Sequence, residues 1–189
     1  MKTFHLLACA ILLAHGAALA CDTCKTNQPA PGQRVVEYDL HISEQHLAPA
    51  GRKVRALTIN GGIPGPVLRF REGDFARIRV HNDLRNEETS THWHGLLLPN
   101  KEDGVPYVTT PPILPGTTHT FEFPLRQSGT YWFHSHTHLQ EQSGVYGGIV
   151  VEPRGGEPVK AGREQVLILS DWTNTDPMEV MRMLMRGSD

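Results

Sequence analysis

Only three cysteines occur in 189 residues, and none follows Cys24. The body of the chain therefore cannot build a metal centre from a thiolate and two imidazoles. Neither sign of charge dominates: 18 Lys and Arg stand against 20 Asp and Glu, a formal net charge of -2. No basic patch supports nucleic acid as a partner. Long apolar runs are missing after the first twenty residues, and a membrane-spanning helix needs about 20 of them in a row, so no membrane span is expected. Histidine, by contrast, is abundant, with 11 in the chain.

The start of the chain reads as an export signal. Lys2 precedes an apolar run at 6–13, His15 and Gly16 interrupt it, and Ala18-Leu19-Ala20 provides small residues before a cut. This pattern predicts a signal peptide over 1–20 and a periplasmic or secreted protein. Cys9 would leave with the leader, and residues 21–33 form an extension that opens with Cys21-x-x-Cys24. A disulfide is the expected state of that pair in an oxidising compartment. A copper-handling thiol pair is the alternative, although nothing around it suggests a redox fold. Lipidation of Cys21 is disfavoured because Ala18, rather than a Leu-type residue, stands three before it.

From Arg34 onward, short alternating stretches at 35–42, 54–59 and 75–80 read as strands. Others are expected at 92–98, 119–123, 130–134 and 146–151. Turn signals punctuate them at Asn60-Gly61-Gly62-Ile63-Pro64-Gly65-Pro66, Pro99-Asn100, Asp103-Gly104, Pro115-Gly116 and Ser128-Gly129. The fold class is therefore all-β, an antiparallel β-sandwich or barrel over 34–152. A Pro- and Gly-bearing linker follows at 153–165. Residues 166–169 then predict a new buried strand, and Asp176-Pro177 caps a helix over 178–185. A domain cannot finish so soon, so 166–189 is expected to be the beginning of a second, incomplete domain.

Two motifs carry the chemistry. In Thr91-His92-Trp93-His94-Gly95, strand alternation puts His92 and His94 on one face and Trp93 on the other. Gly129-Thr130-Tyr131-Trp132-Phe133-His134-Ser135-His136 repeats the device, with Tyr131 and Phe133 as core anchors. If the strands are neighbours, four imidazoles converge. Neutral imidazoles without acidic or thiolate partners suit copper or zinc. A lone strand histidine is usually only hydrogen-bonded or exposed, and two braced pairs in one small domain argue against that reading here.

His-Trp-His-Gly followed by Tyr-Trp-Phe-His-Ser-His resembles the first pair of copper-binding motifs in multicopper oxidases. The likeness runs from about Val35 to Glu152, and Gln140-Glu141-Gln142-Ser143-Gly144-Val145-Tyr146-Gly147 is similar to the copper-resistance branch. The resemblance implies a cupredoxin-like Greek-key β-sandwich and names the metal as copper. It implies that His92 ligates a type 2 copper, and that His94, His134 and His136 ligate a type 3 pair. It further implies that dioxygen is reduced to water at that cluster, with electrons from a donor substrate, phenolic or Cu(I), oxidised at a type 1 copper. Asp103 matches a family position where an acid assists proton delivery, although Asp103-Gly104 also reads as a plain turn. Glu102 has no comparable case.

The type 1 centre requires a cysteine that this sequence lacks after Cys24, and the family's remaining cluster histidines come from a C-terminal cupredoxin domain. Two readings stay open. Either the chain is the N-terminal part of an oxidase, inactive without its C-terminal domain, or it is a stand-alone exported copper-binding protein. His138 is expected to be exposed or to support the ligands, and His81 and His119 to be structural or superficial. Met178, Met181, Met183 and Met185 suit either a helix core or Cu(I), with core packing favoured.

Overall fold

Alternation of apolar and polar side chains sets the faces of the strands: β1 (Val35–Leu47), β2 (Val54–Ile59), β3 (Leu68–Arg71), β4 (Phe75–Asn82), β5 (His92–His94), β6 (Thr118–Pro124), β7 (Gly129–His134) and β8 (Tyr146–Glu152). The structure is a computed structural model that describes residues 28–159 and 161–187. The expected signal peptide, Cys21 and Cys24 lie outside the described residues. The strands form two four-stranded sheets, ordered β2-β1-β4-β6 and β3-β8-β7-β5. Inward residues of both meet in one core, where Ile42, Ile59, Val80, Phe133 and Ile149 are fully buried.

The sandwich is all-β with cupredoxin-like architecture, but it is not purely antiparallel. β1 pairs parallel with β4, and β3 pairs parallel with β8. Period-two alternation reports which face a side chain occupies and says nothing of strand direction, so these crossovers were invisible in the sequence. β3 was also missed, being four residues long with a bare Leu-Arg-Phe-Arg alternation. β5 is shorter than the expected 92–98. Gly95 takes φ +85°, which turns the chain, and the Leu96 amide bonds back to the Trp93 carbonyl at 3.3 Å.

The reading of 166–169 as a buried strand needs correction. The segment makes no strand pairing, and Leu167 and Leu169 are exposed. Val166 and Ile168 instead lie over Gly148 of β8, whose missing side chain leaves them room. An apolar run becomes a strand only where a neighbour offers a ladder. The helix is present as α1 (Pro177–Arg186), with the Asp176 carboxylate accepting from the Met178 amide at 2.8 Å and Pro177 opening the first turn. None of its residues is buried, so Met178, Met181, Met183 and Met185 do not form a core among the described residues. No helix among those residues is long and apolar enough to cross a membrane.

Candidate metal centre

The two histidine motifs meet through one ladder. β5 pairs antiparallel with β7 in the register His92↔His134, Trp93↔Phe133 and His94↔Trp132. Pairing and alternation together send Trp93 and Phe133 inward, 1% and 0% exposed. Trp93 meets Phe121 edge-on at 5.2 Å and lies 5.7 Å from Phe123 and Phe133. This aromatic layer anchors β5 from behind. On the opposite face the same parity leaves His92, His94, Trp132 and His134 together.

One ligand atom from each of His92, His94 and His134 lies within 4.8 Å of the others. His94 Nδ1 and His134 Nε2 face each other at 3.3 Å. His136 lies just past the end of β7, its ring centroid 5.7 Å from those of His92 and His134, and is not one of that triad of ligand atoms. Its amide is fixed by Ser90 Oγ at 2.9 Å. Burial rises across the set, from exposed His94 and His136 through half-buried His92 to His134, which is 6% exposed.

The surroundings fix the ring tautomers. His92 Nδ1 lies 2.8 Å from the Asp103 carbonyl, which only accepts, so Nδ1 carries the hydrogen and Nε2 keeps its lone pair. His134 Nδ1 faces the Ser135 carbonyl at 2.9 Å and Glu141 Oε2 at 2.8 Å, with the same result. Burial pushes the His134 imidazole down to about 4, and the neighbouring histidines push the same way against the Ser135 hydrogen bond. The ring is therefore neutral at neutral pH, as a metal ligand must be. Trp132 stacks on His134 at 4.2 Å and on His94 at 4.9 Å, which restricts the rotation of both rings.

Asp103 sits beside His92. Its backbone carbonyl makes the hydrogen bond just described, and its carboxylate Oδ1 is 3.5 Å from the same nitrogen. It is also the turn residue of the plainer reading, because it ends a 3-10 turn over Asn100–Glu102 and precedes Gly104 at φ +85°. Glu102 is buried, and its Oε2 accepts from the Glu122 amide at 3.0 Å, tying that turn to β6.

His138 does not join the site. The strand has already ended, and the residue is exposed with φ +47°. His81 stacks on His41 at 4.3 Å and lies 3.0 Å from Asp39, while His119 packs edge-on against Phe121. Sequence reasoning missed three supports: Trp132, Glu141 and Gln140. Trp132 was legible, since it stands two residues before His134 and shares its face. Gln140 is 2% exposed and accepts from Thr89 and Ser135, at 2.7 and 2.8 Å. It and Glu141 depend on how the turn after His136 folds back, which no local pattern announces.

The donor set suits a borderline transition metal: clustered neutral imidazoles with their outer nitrogens held. Comparison with known proteins agrees. A family profile described as multicopper oxidase matches residues 41–156. A copper resistance protein A homolog from Pseudomonas syringae pv. tomato is 48% identical over 165 residues, covering 85% of this chain and 28% of its own. Copper resistance protein A of Escherichia coli is also 48% identical, covering 81% and 25%. Among solved structures, a point mutant of the laccase from B. aclada superposes with a TM-score of 0.72 at 36% identity, covering 82% of this chain and 29% of that one. Fet3p, a multicopper oxidase that functions in iron import, gives a TM-score of 0.72 at 29% identity, covering 80% and 29%. The chain thus spans about a quarter of the length of the curated relatives it matches. It belongs to the multicopper oxidase family.

Proposed function

We propose that this chain is the copper-binding N-terminal part of an exported multicopper oxidase and supplies half of the histidines of a trinuclear copper cluster. In this reading His92 holds the type 2 position, and His94, His134 and His136 hold the type 3 positions. The observation that carries it is the facing of His94 Nδ1 and His134 Nε2 at 3.3 Å across paired strands, with His92 in the same triad. Copper, when bound in the complete enzyme, supplies the electron transfer that reduces dioxygen to water.

The residues of this chain do the binding, orienting and proton holding. His134 keeps its hydrogen on Nδ1, so in the metal-free site His94 Nδ1 donates to His134 Nε2. To act as a ligand through Nδ1, the exposed His94 ring moves that hydrogen to its own Nε2. Trp132 holds both rings while this happens. Asp103, partly exposed and 3.5 Å from His92, is placed where an acid can assist proton delivery to a reaction that consumes protons.

The electron donor, phenolic or Cu(I), is oxidised elsewhere in the whole protein. The relatives named for copper resistance favour a role in periplasmic copper tolerance for the whole protein. Copper titration of the purified chain and of a His94→Ala/His134→Ala double variant tests the site. The wild type should bind and the double variant should lose that binding; equal binding by both refutes the assignment. The copper-loaded chain alone should not couple phenol or Cu(I) oxidation to dioxygen uptake, and steady oxygen consumption would contradict this.

A further inference from the structure

The residue behind His134 has no counterpart in the histidine motifs. The turn that follows His136 brings Glu141 back so that its Oε2 lies 2.8 Å from His134 Nδ1. This placement is built into the fold. The Val145 amide bonds to the Gln140 carbonyl at 3.0 Å, and the Gly144 amide bonds to the Glu141 carbonyl at 3.0 Å. Gln140, buried beside Glu141, is held by Thr89, Ser135 and the Glu88 carbonyl. Gly144 has φ +120°, and a Cβ there would stand 2.2 Å from the Leu57 carbonyl oxygen, so the turn is seated against β2. The backbone of Glu141 is therefore held in place beside the ring.

The hydrogen on Nδ1 is taken by the Ser135 carbonyl at 2.9 Å, and the Glu141 carboxylate lies against the same nitrogen at 2.8 Å. The carbonyl belongs to the adjoining residue. A carboxylate oxygen placed against Nδ1 favours a hydrogen on that nitrogen over one on Nε2. The far side of Glu141 borders a cleft of about 230 Å³ lined by Trp132, Gln142, Tyr146, Ser170 and Asp171. The carboxylate is thus partly exposed while still touching the ring.

We infer that Glu141 is a positioning residue that holds His134 in its Nδ1–H form, leaving Nε2 free toward the metal. The inference rests on the copper reading for its purpose, and its structural content stands apart from it. The ring faces Trp132 on one side, the Glu141 carboxylate at its outer nitrogen, and His94 at its inner nitrogen. Without the carboxylate, only the neighbouring carbonyl favours Nδ1–H, and the Nε2–H form gains population relative to wild type. That form presents a hydrogen, where a ligand needs a lone pair.

Two readouts test this. The first is the pattern of ring nitrogens in long-range 1H–15N correlation spectra of the metal-free, histidine-labelled protein at neutral pH. Wild-type His134 should show a single Nδ1–H form. Glu141→Ala and the longer Glu141→Met should populate the Nε2–H form, and Glu141→Gln, which still accepts, should restore the single form. The second is Cu(II) affinity by competition with a chromophoric chelator. Glu141→Ala should weaken binding about 10–100-fold, the usual effect of removing such an outer partner, with Glu141→Gln recovering part of it. Unchanged His134 nitrogens in both non-accepting variants overturn the inference whatever the copper titration gives. If the wild type binds no copper, the proposed function fails, and the metal-free spectra still decide the role of Glu141.

Discussion

Replacing Gly104 with alanine should damage the fold and the metal site together. A Cβ at this position would stand 1.7 Å from the Thr91 carbonyl oxygen and 3.0 Å from His92 Cα, both backbone atoms of the segment leading into β5. Neither can swing aside as a side chain would. Gly104 also has φ +85°, where an L-residue costs roughly 1–2 kcal/mol. Forcing backbone apart in a packed region adds about 1–3 kcal/mol. Together these give a loss of roughly 2–5 kcal/mol, or about 5–20 °C in melting temperature for a domain of this size. The displaced loop also carries the Asp103 carbonyl away from His92, so copper affinity should fall as well. Gly116→Ala is the control. It has φ +72°, but a Cβ added there would meet nothing within 4 Å, so it should cost only the backbone share and leave copper binding intact. Thermal melts and copper titrations of both variants decide the matter. Equal losses of stability in the two, or a Gly104→Ala protein within about 1 kcal/mol of wild type, would refute the reasoning.

Trp93→Ala should cost about 3–5 kcal/mol in denaturant unfolding, since a fully buried indole ringed by Phe121, Phe123 and Phe133 leaves a cavity. A midpoint close to wild type would mean that β5 is not anchored from behind as described. Asp74 supports a pH prediction. Burial alone would raise its carboxyl, but hydrogen bonds from the Arg34 guanidinium at 2.8 Å and the Arg71 amide at 2.6 Å hold it below its usual range. Its folded-state value is depressed, so its stabilisation is present above about pH 4 and lost as pH falls through the folded value. Asp74→Asn should therefore destabilise the protein by roughly 1.5–3 kcal/mol at pH 7 and by progressively less as pH falls through the folded-state value. A difference independent of pH would contradict this assignment.

What was legible in the sequence followed from parity. Trp93 between two histidines and Phe133 before His134 reveal both the core face and the site face, because alternation on a strand is geometrically forced. The parallel pairing of β1 with β4 was not legible, since direction leaves no mark on alternation. The segment 166–169 looked like a strand by composition, yet strand formation depends on a partner and not on the segment alone. Within the site, His92, His94 and His134 gather on one face as parity requires, and His136 follows just past the end of the strand with its ring 5.7 Å from His134. Asp103 lies beside His92, but its closest tie is a backbone carbonyl, which no side-chain motif encodes. Glu141 lay outside reach for a similar reason, because only the closed turn brings it back.

The pairing of β5 with β7 makes the site inseparable from the core. A one-residue deletion inside β7 would shift its later residues by one place and send His134 where Phe133 now packs. The same event would bury an imidazole, expose a phenyl ring and empty the metal face. The proposed copper chemistry and foldability are thus written on the two sides of one ribbon. A lineage can lengthen the excursion between β5 and β6 with little effect on the ligands beyond the Asp103-Gly104 contact. A change in the count of residues within β7, however, puts the whole domain at risk.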